Sequence, residues 1–421
     1  LPDKIYLRQM QALPLIAKVH MSQQRIREWY DHFDGNVYIS FSGGKDSTVL
    51  AHVVHEYYPD VPLVFCNTGL EYPEVQAFAK KMGAEFIRPR MSFSEVISKY
   101  GYPIIGKEVS EAIHYARLII PKDSCGGGYN KEGVVLHYER SRAELSGTRD
   151  DTERIATRAR RMAKSKLDGP YATAKINMGG GTENSVNSSV VGIAKALKSM
   201  FNKRKWLELC DETDFRISHK CCAVMKKSPL GIYQRKNKVV PFIGTLASES
   251  RLREQAWIRH GCNAYEGNRK SSQPLSFWTE QDILKYLYME GWEIASVYGN
   301  IVGVDKNGFE YEPLPGVDCQ LKCTGCDRTG CVYCAFGCHL EKGETRFQRL
   351  AKTHPKQYEY CMGGGQYVDN PDYDPFAPAM DGEWKNWNPK KIWVPSKEGL
   401  GMKKVFDDCN QLYGKDFIRY E

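Results

Sequence analysis

Residues 42–47 read Ser-Gly-Gly-Lys-Asp-Ser, set between the β-formers Val37, Tyr38, Ile39 and Phe41 and an apolar, helix-like segment. Gly43 and Gly44 let the backbone turn sharply and bring its N–H groups close to a ligand. A helix N-terminus adds free donors and partial positive charge, Lys45 adds a full charge, and Ser42 and Ser47 add hydroxyls. Asp46 or Ser47 is expected to cap the helix. Together these residues describe a cradle for a phosphate or pyrophosphate. The alternative is an ordinary glycine-rich turn carrying a surface lysine. The spacing is not G-x-x-x-x-G-K-[ST], nor is G-x-G-x-x-G present, so neither a Walker A loop nor a dinucleotide fingerprint applies.

The stretch resembles the PP-loop, S-G-G-x-D-S, of the adenine-nucleotide α-hydrolase superfamily. That resemblance implies binding of ATP or an adenylyl compound and reaction at the α-phosphorus. It also implies that Asp46 helps hold Mg2+ when the substrate is ATP.

Other residue groups carry chemistry of their own. "CNTGLEYPEV" places Thr68 and Gly69 where a strand would end, with Glu71 and Glu74 nearby. In "HKCCAVMKKSPL", the neighbouring Cys221 and Cys222 can supply two thiolates to one metal cluster. Lys226 and Lys227 bring positive charge, either for a substrate phosphate or sulfate or to offset those thiolates. Cys331 and Cys334 form a C-x-x-C pair, and Cys319, Cys323, Cys326 and Cys338 crowd the same region. Zinc or iron–sulfur would suit such thiolates, and a second metal or an alternative ligand choice stays open. Cys66, Cys125, Cys210, Cys262, Cys361 and Cys409 are isolated in sequence and read as buried or incidental.

In this order the motifs resemble the phosphoadenosine-phosphosulfate reductase family. The segment Thr68, Gly69, Tyr72, Pro73, Glu74 is similar to its T-G-x-x-F-P-E-T motif, with Val75 replacing the last threonine. Glu249, Ser250 and Arg253 resemble its G-x-R-x-x-E-S-x-x-R segment, with Leu246 in place of the first arginine. "QPLSFWTEQDILKYL" resembles P-L-x-x-W-T-x-x-D-V, which makes Trp278 core, Thr279 a helix cap and Asp282 a first-turn partner. The resemblance implies that Cys221, Cys222, Cys331 and Cys334 hold a 4Fe-4S cluster, with zinc as the rival. It implies that Lys45, Asp46 and Arg253 serve catalysis, and that Ser42 to Ser47, Thr68, Gly69 and Lys226 bind the nucleotide.

One departure bears on the reaction: the family's E-C-G-L-H pentapeptide is missing, and the nearest string is Gly337-Cys338-His339-Leu340-Glu341. The chain also resembles the ATP pyrophosphatase of DNA phosphorothioation systems. The expected activity is therefore ATP cleavage to AMP and pyrophosphate, activating an acceptor for sulfur insertion. The second version is reductive cleavage of adenylyl sulfate or its 3′-phosphate form, with Cys338 or Cys361 as nucleophile. A third, from another class, is a non-catalytic nucleotide and redox sensor that regulates a partner.

These groups need a scaffold of 421 residues to position them. Strands at 37–41, 62–69 and 84–89 alternate with helices, the first of these helices at 14–33 and the second running from the PP-loop to about His55. This predicts an α/β fold: a mostly parallel sheet covered on both faces, plus a cysteine-rich iron–sulfur module. Four regions are expected: 1–121 and 206–340 as two parts of the PP-loop domain, 122–205 as a basic Gly/Ser-rich insertion, and 341–421 as an irregular tail ending in a helix near 399–412. The candidate helix at 148–166, with Arg154, Arg158, Arg160 and Arg161, reads either as a solvated surface helix or as a contact for nucleic acid or another anionic acceptor. A net charge of +8 suits polyphosphate substrates. Fourteen cysteines, more than half of them clustered, argue for metal or redox use rather than a disulfide framework. A sulfur or electron donor protein is a further expected partner. No long apolar run and no signal-peptide layout are visible, which predicts a cytoplasmic protein without membrane contact.

Overall fold

A computed structural model describes residues 3–117, 206–267, 270–314, 319–373, 375 and 387–421. The basic 148–166 segment, Cys125 and the whole of 122–205 lie outside these. The chain divides into two compact units, Leu1–Phe93 with Ala223–Val332, and Ser94–Cys222 with Tyr333–Glu421.

The first unit holds the central sheet. Its strands are β1 (Val37–Phe41), β2 (Leu63–Cys66), β3 (Glu85–Ile87), β4 (Val240–Ile243), β5 (Asn263–Ala264) and β6 (Ser271–Ser272). Their order across the sheet is β3-β2-β1-β4-β6-β5. β1 lies in the middle, parallel to both β2 and β4, and only β5 with β6 runs antiparallel. Strands buried on this scale read as continuous apolar runs, as Val37, Tyr38, Ile39 and Phe41 do. Helices α1 (Lys4–Gln11), α2 (Leu15–His32), α3 (Lys45–His55), α4 (Pro73–Lys81), α5 (Ser228–Asn237), α6 (Arg251–His260) and α7 (Glu280–Glu290) accompany the sheet. The expected mainly parallel α/β architecture is therefore present. Ligands of such sheets bind beyond the carboxyl ends of the strands, and residues 42–44 leave β1 at that end.

Two local expectations meet the structure differently. Thr279 caps α7 as expected: its side chain accepts from Asp282 N, and the Asp282 carboxylate accepts from Thr279 N at 2.7 Å. Trp278 is fully buried beside it. The cap of α3, however, is neither Asp46 nor Ser47 but Gly44, whose extended backbone precedes a helix that already begins at Lys45. Ser47 instead turns back, donating to Gly44 O at 2.9 Å and accepting from Ser42 N at 3.2 Å. The loop is tightened from inside rather than capped by a side chain.

The second unit contains short pairings, 335–336 parallel with 104–105 and 366–369 antiparallel with 391–394. Buried Arg117 ties it together, donating to the carbonyls of Leu209, Cys210 and Phe215 and to the Thr213 hydroxyl. A terminal helix runs Met402–Tyr413. Among the described residues no helix is long and apolar enough to cross a membrane.

His52 of α3 stacks on Trp292, with ring centroids 3.7 Å apart. Burial, with His55 adding repulsion, pushes its pKa down to about 4 from 6.5. The unfolded chain then takes up this proton first, so folding stability falls as pH drops from 6.5 towards 4. A His52→Phe variant should show a shallower fall in melting temperature over that window. Parallel melting curves of variant and wild type would refute it.

Candidate nucleotide site

Two carboxyl-end loops of the first unit join the PP-loop, making three in all. The first is the PP-loop itself. Gly43 sits at φ +68, and a Cβ there would lie 2.7 Å from Val75 Cγ1. Ser42 Oγ lies 3.0 Å from Ser47 Oγ and accepts from Gly44 N at 3.3 Å. Lys45 is buried, with its ammonium 3.2 Å from Glu280 Oε1 and 5.4 Å from the centroid of the Tyr298 ring. Asp46 is half-buried, and desolvation holds its carboxyl above the ordinary range despite the positive charges of Lys45, Arg328 and Arg253.

The loop after β4 is the second. A Cβ at Gly244 would come within 2.8 Å of Asp46 O, so glycine permits the close passage of this strand end. A few residues on, Glu249 accepts from Leu246 N at 3.1 Å and pairs with Arg253. Leu246 itself is buried, so its side chain offers nothing to an anion.

The third follows β2. Thr68 donates its hydroxyl to Glu71 Oε1 at 2.8 Å, and Gly69 turns at φ +75 with its N–H on Asn67 Oδ1 at 3.0 Å. Glu71 also meets Lys226 Nζ at 3.3 Å. Burial alone would lower the pKa of Lys226, but the Cys331 thiolate and Glu71 together carry it up. Lys226 stands on a five-residue π-helical turn, Ala223–Lys227, a departure from α-helix common at functional sites. Cys66, which in sequence looks isolated, belongs to this cluster: its thiol donates to Met225 O at 3.3 Å and senses Glu71, Lys226 and Cys331.

Several contributors escaped sequence reasoning. Glu280 directly follows the cap Thr279, and its reach to Lys45 has no local signal. Tyr298, Arg328 and Thr329 arrive from distant sequence. Tyr298 Oη lies 2.5 Å from Thr329 Oγ1 and 3.4 Å from where a Gly44 Cβ would stand. Burial pushes this phenol up to about 12.

The matched family fits this geometry. The family model described as the phosphoadenosine phosphosulfate reductase domain matches residues 36–103 and 183–336, over half of the chain. The chain belongs to the phosphoadenosine phosphosulfate reductase family. Within the family, an adenosine 5'-phosphosulfate reductase from Staphylococcus haemolyticus (strain JCSC1435) is 28% identical over 138 residues. That alignment covers 31% of this chain and 54% of the relative, so the chain spans about half the length of the curated relative it matches.

Cys221 and Cys222 belong to the second unit, with their Sγ atoms 3.9 Å apart. Cys334 belongs to the same unit, and Cys331 to the first. Thiolates are the right donors for a cluster, but among the described residues no three His, Cys, Asp or Glu side chains converge as a metal site. Cys338 and Cys361 are buried. Burial pushes the Cys338 thiol up to about 12 and raises the Cys361 thiol as well. In this arrangement both are poor thiolate nucleophiles, since the thiolate is the reactive form. Cys210, Cys262 and Cys409 are buried too, as their isolation in sequence suggested.

Proposed function

We propose that this family member binds ATP at the PP-loop and transfers its adenylyl group to an acceptor, releasing pyrophosphate and preparing the acceptor for sulfur. The observation that carries this reading is the Lys45–Asp46 pair at the carboxyl edge of the sheet, with Arg253 held beside it by Glu249. An acceptor oxygen would attack the α-phosphorus, and the bond to the β-phosphate oxygen would break. A sulfur nucleophile would then displace AMP from the adenylated acceptor.

Ser42, Ser47 and the amides of Gly43 and Gly44 would hold phosphate oxygens, while Lys45 would offset charge growing on the leaving pyrophosphate. Asp46 would hold Mg2+, which when bound screens polyphosphate charge. Thr68 and Gly69 would line the nucleotide, and Lys226 would face its outer anion. Cys221, Cys222, Cys331 and Cys334 are the proposed ligands of a 4Fe-4S cluster, with zinc as the rival metal. The acceptor is proposed to be a nucleic acid or another anion bound through the basic insertion, and sulfur would come from a donor protein.

A second reading, reductive release of sulfite from adenylyl sulfate, is favoured by the similarity to an adenosine 5'-phosphosulfate reductase. One experiment separates the two. Anaerobically purified protein is assayed for iron and zinc, then incubated with ATP, adenylyl sulfate or its 3′-phosphate form. AMP and pyrophosphate from ATP, with or without added nucleic acid, support the first reading. Sulfite from either sulfonucleotide, alongside intact ATP, would install the second. No turnover of any of the three would remove both.

A further inference from the structure

The cysteine-rich stretch Cys323–Cys334 contains a loop held largely by its backbone, with the Cys326 thiol donating to Arg328 O at 2.8 Å. Thr324 N donates to Asn300 O, Gly325 N to Tyr298 O and Cys326 N to Val297 O, each at 2.9 Å. The Thr324 hydroxyl in turn accepts from Asn300 N at 2.9 Å. A Cβ at Gly325 would lie 2.4 Å from Val297 O, and one at Gly299 would lie 2.3 Å from Thr324 Oγ1. The two segments therefore interlock through glycines that leave no room for side chains. At its far end, Val332 N donates to Leu70 O at 2.8 Å, in the turn after β2. The loop thus runs as a strap between residues 297–300 and the Thr68–Glu71 turn, with Thr329 placed by Tyr298 next to Gly44.

Arg328 projects from the middle of this strap. Its guanidinium lies 3.5 Å from Glu249 Oε1, while Arg253 pairs with Oε2 of the same carboxylate. One buried-side carboxylate thus holds two guanidiniums side by side, each with five N–H donors in a planar fork suited to oxyanions. Both remain open to solvent, Arg328 with 61% and Arg253 with 41% of the side chain exposed. Thr329, the next residue, brings its Oγ1 to 3.8 Å from where a Gly44 Cβ would stand, so the strap carries Arg328 to the mouth of the phosphate cradle. Leu246, which stands where the family pattern has an arginine, is buried and contributes no charge.

We infer that Arg328 binds substrate, holding together with Arg253 the oxyanion that the adenylyl group carries beyond its α-phosphate. The inference rests on the nucleotide reading above. It names the shared chemistry of two sources, the outer phosphates of ATP and the sulfate of adenylyl sulfate. Glu249 is a positioning residue, since it acts by aiming the two arginines.

Calorimetry on the full chain tests this with ATP, adenylyl sulfate and AMP against wild type, Arg328→Ala, Arg328→Lys and Lys45→Ala. Arg328→Ala should weaken the ligand that wild type prefers, ATP or adenylyl sulfate, by about tenfold or more, as expected for a lost charge-assisted contact. Binding of AMP, which lacks the outer oxyanion, should be unchanged, and Arg328→Lys should recover part of the loss. Wild-type affinities in Arg328→Ala, or an equal loss for AMP, would overturn the assignment. If wild type binds none of the three, or Lys45→Ala binds as wild type does, the nucleotide reading itself fails and takes this inference with it.

Discussion

Replacing Asp46 by asparagine is expected to cut turnover by about 10²–10³-fold, the usual scale for removing one preorganised charge-handling group. The same change should raise the melting temperature of the nucleotide-free protein. The two effects have one cause. Desolvation at the start of α3 holds the Asp46 carboxyl above its ordinary pKa, and Lys45, Arg328 and Arg253 only partly compensate. A raised carboxyl means that the folded state keeps its proton to higher pH than the unfolded chain does. Stability is therefore lost as pH climbs from the ordinary carboxylate range through the folded value, and it stays lower at neutral pH. Asparagine is nearly isosteric and cannot ionise, so that loss disappears, together with the charge that would hold Mg2+ and a polyphosphate. Thermal melts at neutral pH and a product assay on the same sample test both halves. A variant that melts below wild type, or that turns over normally, would show that the carboxylate is structural rather than poised for ligand.

Such a trade of stability for a charged site explains which parts of this protein can be read from sequence. The strand at 37–41, the loop at 42–47 and the helix ending at His55 are encoded by neighbours in the chain: a β-former run, two glycines and an apolar helix. The same holds for Thr279 and Asp282, whose capping contact spans three residues. What sequence could not show is assembled across distance. Lys45 meets Glu280 235 residues later. Arg328 sits in a run whose visible pattern is cysteine, and its place beside Glu249 depends on the interlocking of Gly299 with Gly325. Cys66 looks incidental because its partners Glu71, Met225, Lys226 and Cys331 come from other loops. The helix cap departs from the sequence expectation for a subtler reason. Both Asp46 and Ser47 are good caps by residue type, but extended Gly44 lets α3 start at Lys45, ahead of both, and Ser47 closes the loop instead.

The thiols carry the same lesson in energetic form. Likeness of residues 337–341 to the missing pentapeptide makes Cys338 a candidate nucleophile, but reactivity depends on solvation, which a motif does not encode. Burial at Cys338, together with the repulsion of Glu341 and Cys334, opposes the thiolate more than Arg346 favours it.

Gly43→Ala should be among the most damaging small substitutions in the chain, because two independent constraints meet at that residue. Its φ of +68 is left-handed, which costs an L-residue about 1–2 kcal/mol. The added methyl would also stand 2.7 Å from Val75 Cγ1 and 3.2 Å from Val75 O, so α4 or the loop must move. Either movement disturbs the amides that face the ligand, and nucleotide affinity should fall by about tenfold or more. Two comparisons isolate the causes. Gly69→Ala shares the left-handed backbone, at φ +75, but its methyl would meet nothing within 4 Å, so the conformational cost acts alone. Gly44→Ala has ordinary backbone, and its methyl would face Ser42 Oγ at 3.2 Å and Tyr298 Oη at 3.4 Å, so only a modest adjustment is needed. Calorimetric affinities should therefore fall most in Gly43→Ala. Adding Val75→Ala to it should recover part of the loss by removing the clash while leaving the strained φ. Full wild-type affinity in Gly43→Ala would mean that nucleotide binds elsewhere, since no ligand held by this loop could be indifferent to a methyl driven into the wall behind it.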